Sequence, residues 1–158
     1  MSERLKQFLE DRERQAEYQD FAQRFEEKPD DISDEEAARR YRELMAHVDD
    51  GDEDEEMQQA YDAALSKLTP DERRILAEKF REANNDPSRP YAGYQGEQPL
   101  EEASSPRQIG RMTRKAAQED PDLLEQVLGK DSPLSGKTGR IAMAGLAALA
   151  AKRFLGRR

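Results

Sequence analysis

Apolar positions recur every three or four residues along most of this chain, and strand-like alternation appears nowhere. Leu5, Phe8, Leu9, Ala16, Phe21, Ala22 and Phe25 make the first stripe. With Ser2 as N-cap and a stop at Lys28-Pro29-Asp30-Asp31, they predict one long amphipathic helix reaching about Glu27. Arg12 interrupts its apolar face.

A second helix begins after Ser33, where Glu36 three residues on completes a capping box. Ala37, Ala38, Tyr41, Leu44, Met45 and Val48 give it one apolar face. Asp49-Asp50-Gly51-Asp52 turns the chain into a third helix carrying Met57, Tyr61, Ala64, Leu65 and Leu68. The fourth has the clearest local signal: in Thr69-Pro70-Asp71-Glu72, Thr caps, Pro takes the first helical position and Glu closes the box. Its expected inner face is Ile75, Leu76, Phe80 and Ala83.

Past Asn84-Asn85 the period lapses. Pro87, Pro90, Pro99, Gly93 and Gly96 punctuate a polar stretch that reads as a linker. Its aromatic residues, Tyr91 and Tyr94, suggest a solvated loop that packs one ring. Two short helices open at Ser105-Pro106 (Ile109, Met112, Ala116) and Asp120-Pro121 (Leu123, Leu124, Val127, Leu128), pairing as a hairpin that stops at Gly129. Lys130 to Gly139 reads as another joint. The expected class is therefore all-α. Residues 1–33 form an amphipathic helix, 34–84 an acidic three-helix unit and 85–105 a Pro/Gly-rich linker. Residues 106–129 form the hairpin, and 130–158 a joint with a basic, Ala-rich C-terminal helix.

Composition makes the core thin. Leu, Ile, Val and Phe supply 25 of 158 residues, about 16%, with a net charge of −9. The absence of Cys excludes a disulfide scaffold and fits a reducing compartment. Met1 to Lys6 runs straight into charged helix with no apolar leader, so a cytoplasmic location is expected, peripheral to a membrane or on a larger assembly. The charge is polarised. Residues 1–136 hold 20 basic and 35 acidic side chains, a net of −15, whereas 137–158 hold six basic and no acidic ones. An acidic body and a basic interaction tail follow.

Candidate chemistry is sparse. An EF-hand loop started at Asp50 has Glu55 where Gly is needed and Tyr61 where a bidentate Glu is needed. The acidic run 49–56 is better explained by the helix N-terminus it precedes. Ser135-Gly136-Lys137-Thr138 ends like a phosphate-binding loop, but Asp131 occupies the position of its first Gly and no strand precedes it. His47, the single histidine, has no Cys or second His with which to hold zinc and reads as a helix-end cation. No nucleophile–base–acid set can be completed, so no catalytic, cofactor or metal residue is assigned and the chain is expected not to be an enzyme.

The C-terminal helix carries what function the residues suggest. Residues 141–151 are uncharged, Lys152-Arg153 interrupts, and Phe154-Leu155 resumes. Met143, Leu146, Leu149 and Phe154 fall on a bulky side, with Ala144 and Ala148 on the small one. A helix apolar all round is buried or in lipid. The stretch 141–155 spans about 22 Å against a hydrocarbon core near 30 Å, which disfavours a simple span. Three placements remain: docking on an external surface, completion of the chain's own core, or a strained short span or tail anchor whose flanking basic residues snorkel. The expectation adopted is a non-enzymatic helical adaptor. Its C-terminal helix docks on an anionic membrane surface or in a partner's groove, with Lys137, Arg140, Lys152, Arg153, Arg157 and Arg158 as the anionic-surface contacts. The alternative is a scaffolding protein that self-associates through its N-terminal helix and grips an acidic partner with its tail. Nucleic acid is disfavoured by the acidic body and the lack of stacking aromatics near the tail.

Overall fold

Asp11 divides the expected first helix in two. Its carboxylate accepts hydrogen bonds from the backbone N–H groups of Glu13 (2.9 Å) and Arg14 (3.4 Å), which caps a new helix. The computed structural model describes residues 2–129 and 132–156. It places α1 at Glu3–Leu9, α2 at Arg12–Glu27, α3 at Asp34–Met45, α4 at Glu55–Leu65 and α5 at Pro70–Asn85. The short α6 covers Leu100–Ala103, followed by α7 at Pro106–Glu119, α8 at Pro121–Val127 and α9 at Lys137–Gly156. No strand occurs among the described residues, and the chain is all-α.

The other caps follow their residues. Ser2, Ser33, Asp54, Ser105 and Asp120 each accept a backbone N–H at the start of a helix. Thr69 and Glu72 form the full reciprocal box, at 3.1 and 2.9 Å. At Ser33 only half of the expected box forms, because the Glu36 carboxylate turns to the guanidinium of Arg24 on α2. Thr69→Ala should lower stability by about 1 kcal/mol in urea denaturation. No shift would mean that the α5 start contributes nothing to the folded state.

Helix α9 runs through the middle of the bundle and packs against α2, α3 and α4. Ala142, Ala144, Ala147, Ala148, Ala150 and Ala151 let those helices approach closely, while Met143, Leu146 and Phe154 fill the spaces between them. This is how a chain so poor in large aliphatic residues builds a core. A central helix apolar on every side offers burial to three neighbours at once. Most of the N-terminal stripe is spent in the same way: Leu5, Phe8, Leu9, Phe21 and Ala22 are buried within the chain, joined by Tyr18, whereas Ala16 is exposed and Phe25 half-buried.

Helix α7 organises the remainder, packing on α3, α4, α5 and α8. Its contact with α4 is close at Gly110, where an added Cβ would lie 2.3 Å from the Tyr61 ring. Helices α3 and α4 pack chiefly on α9 and α7, so residues 34–84 draw their burial from the rest of the chain. The 85–105 stretch is packed as well. Both Tyr91 and Tyr94 are buried, against the expected solvated loop. The Tyr91 ring stacks on Phe80 with centroids 5.7 Å apart, and its hydroxyl donates to the Met112 carbonyl at 2.9 Å. On α5, Leu76, Ala77, Phe80 and Ala83 point inward, but Ile75 does not: it is 45% exposed.

The buried tyrosines set an alkaline limit. Burial, reinforced by Glu43 beside Tyr18, Glu53 beside Tyr61 and Glu119 beside Tyr91, raises these phenols well above their ordinary value; burial also raises Tyr41, with Glu53 adding to it and a hydrogen bond with Thr113 opposing it. In the unfolded chain they ionise near pH 10, and in the folded chain they stay neutral. Their contribution is therefore complete below about pH 10 and is lost as pH rises above it. Phenolate absorbance should rise in step with the loss of helical circular dichroism. A gradual titration of these rings in a still-helical protein would contradict the burial.

Candidate docking site

The acidic run before α4 is occupied from within. Asp52 accepts from the backbone N–H and hydroxyl of Ser2 at 2.6 and 2.7 Å, and Asp49 pairs with Arg4 at 3.4 Å. Arg114 of α7 reaches Asp50 at 2.5 Å and Glu53 at 2.7 Å, and Glu53 also accepts from the Tyr61 hydroxyl. Arg107 takes Glu55, and Arg153 of α9 takes Asp54 and Glu56. Seven carboxylates within eight positions thus tie α1, α4, α7 and α9 together. The hydrogen bond from Arg114 holds the Asp50 carboxyl below the ordinary carboxylate value.

The same pairing absorbs the basic tail. Arg140 lies 3.4 Å from Asp34 at the start of α3, and Lys137 lies 4.0 Å from Asp30. Lys152 pairs with Glu26 of α2. All four described cations of the tail therefore face carboxylates of the body. Arg157 and Arg158 lie outside the described residues.

The expected docking residues are placed as follows. Met143, Ala144, Leu146, Ala148 and Phe154 are all buried against the chain's own helices. Here the helix packs into the core, and of these five side chains only Ala148 also reaches the wall of the cleft beside Leu149. Leu149 is different. It is 42% exposed, and Lys152 and Gly156, three and seven residues on, share its solvent-facing edge.

At that edge α9 surfaces between α2 and α4. Gly145, Ala148 and Leu149 line a cleft of about 230 Å³ with Phe25 of α2 and with Ala63 and Ala64 of α4. Glu26, Lys67 and Lys152 stand at its rim. An adjoining hollow shares Glu26 and Lys152 and continues to Ala22 and Leu155. Small floor residues, two apolar walls and two lysines against one carboxylate suit an apolar group that carries negative charge beside it. Phe25 belonged to the first apolar stripe, but nothing local joins it to Ala63, Ala64 or Lys67; only the packing of α2 and α4 on α9 does. His47 plays no part in the cleft: its ring stacks on Phe8 with centroids 4.1 Å apart.

No protein-family model matches the chain, and no curated protein or solved structure is similar to it. The geometry is therefore the basis for function. No helix among the described residues is long and apolar enough to cross a membrane.

Proposed function

We propose that this protein is a non-enzymatic helical adaptor whose docking surface is the cleft where α9 emerges between α2 and α4. The observation that carries the proposal is the setting of Leu149: a large apolar side chain, 42% exposed, on a helix otherwise committed to the core, in a cleft with cations at its rim. A protein partner is favoured over an anionic bilayer. The cations that would meet lipid headgroups already face Asp30, Asp34, Glu26, Asp54 and Glu56, and the chain as a whole carries −9. In this form the docking element is one edge of the C-terminal helix rather than its whole circumference.

Anilinonaphthalene sulfonate, an aromatic group with a single anion, is a direct probe of that chemistry. The native protein should bind one molecule, and Leu149→Glu should weaken binding about tenfold or more while leaving the melting temperature nearly unchanged. Absence of native-state binding, or binding indifferent to Leu149→Glu, would overturn the proposal. Flotation with phosphatidylglycerol vesicles is the second arm. The full chain should remain unbound at neutral pH, and flotation abolished by Leu149→Glu would move the same site onto a bilayer.

A further inference from the structure

Among the described residues two large hydrophobic side chains stand exposed, Leu149 and Ile75, and their surroundings are complementary. Leu149 lines the cleft whose rim carries Lys67 and Lys152 against Glu26. Ile75 stands on the solvent-facing side of α5. Asp71, Glu72 and Glu78 lie three or four residues from it and Glu82 seven; Lys79 is the cation at those spacings, and the adjoining Arg74 pairs with Glu78 at 3.9 Å, which leaves Asp71, Glu72 and Glu82 in excess. One surface is an apolar hollow with excess positive charge, and the other is an apolar knob with excess negative charge. They lie on different elements: the hollow on α2, α4 and α9, the knob on α5.

We infer that the cleft between α2, α4 and α9 receives the Ile75 face of α5 from a second copy of this chain. This rests on the cleft being a docking surface and specifies its occupant. Ile75 enters between Phe25 and Leu149, and the carboxylates around it approach Lys67, since Lys152 already pairs with Glu26. Because knob and hollow occupy different surfaces, the contact is heterologous. Each copy offers one of each, so association does not stop at two and continues as an open chain or a closed ring. A single apolar anchor with a small polar surround makes a weak, reversible contact.

The heterologous geometry permits a complementation test on the full-length protein by sedimentation velocity across a range of concentrations. Wild type should show average mass rising past the dimer as concentration increases. Ile75→Glu and Leu149→Glu should each remain monomeric. Mixed in equal amounts they should form a dimer and nothing larger, because one intact knob meets one intact hollow. Both positions are exposed, so circular dichroism and melting should match wild type for each variant.

Other outcomes overturn the inference. If Ile75→Glu still dimerises, the contact is a symmetric one through Leu149. If the mixture stays monomeric, knob and hollow do not meet. If wild type is monomeric at every concentration, a different molecule occupies the cleft. In that last case, anilinonaphthalene sulfonate binding that depends on Leu149 would leave the docking surface standing and remove only its assigned occupant. Loss of that binding would remove both.

Discussion

Leu146→Glu should unfold this protein, whereas the same change three residues on, at Leu149, should leave it folded. Leu146 is fully buried in the middle of α9, where α2, α3 and α4 converge. Glutamate there either stays ionised without a partner in an apolar interior or takes up a proton at neutral pH, and both are unfavourable. The apolar burial of the leucine, about 1.5–3 kcal/mol, is lost as well. Together these amount to several kcal/mol, comparable with the whole stability of a domain of this size, about 5–15 kcal/mol. Intrinsic helix propensity scarcely changes, so the effect reports on packing alone. Helical circular dichroism and a urea transition on both variants provide the measurement. A Leu146→Glu protein with a wild-type transition would mean that α9 is not the core helix and is free to dock elsewhere.

Arg114→Ala should be the most damaging charge deletion. The Arg114 side chain is 1% exposed and the Glu53 side chain 7%, so removing the guanidinium strands a carboxylate that water scarcely reaches. The Tyr61 hydroxyl remains its donor, and that is not enough. Loss of one partner from a buried pair costs about 3–5 kcal/mol. Pairing Arg114→Met with Glu53→Gln removes both charges and should recover a large part of that loss, because the interior then holds no orphan ion. Linear extrapolation from urea gives the numbers. A deficit below about 1 kcal/mol for Arg114→Ala would show that the acidic run does not need its arginine.

Two separate arginine–carboxylate contacts shape the response to acid. Arg114 holds Asp50 below its ordinary value, and Arg24 does the same for Glu36. A depressed carboxylate stabilises the fold fully above its unfolded value of about 4, and that stabilisation is lost as pH falls through its lower folded value. The acid and alkaline limits thus have separate origins, in paired carboxylates and in buried phenols.

The caps were legible because capping is a matter of three or four neighbouring residues. Thr69-Pro70-Asp71-Glu72 starts α5 where its residues say, and Ser105 and Asp120 start α7 and α8 likewise. Where a distant residue competes, the local signal falls short. Glu36 leaves the Ser33 cap for Arg24 because a charge-assisted, two-pronged hydrogen bond is stronger than one to a backbone N–H. Ile75 shows another limit. It adjoins Leu76, and adjacent helical positions point about 100° apart; the i, i+4, i+7 phase of Leu76, Phe80 and Ala83 sets the inner face. Tyr91 and Tyr94 lie in a stretch with no period; Tyr91 meets Phe80 and Met112, partners that no local pattern names, while the Tyr94 hydroxyl donates to the nearby Gln98 carbonyl.

The sequence by itself determined that the chain is helical, where most helices begin, that its charge is divided between an acidic body and a basic end, and that the last helix is apolar on every side. It did not determine what covers that helix. An amphipathic helix announces its buried face, but one without a polar face is compatible with lipid, a partner or its own chain. Only the tertiary structure decided among them. Folding brings Glu26, Asp34, Asp54 and Glu56 to cations 97 to 126 residues away, while α2, α3 and α4 close over the alanines. It also left Leu149 uncovered, because the cleft at the meeting of α2, α4 and α9 exists only once all three helices are in place.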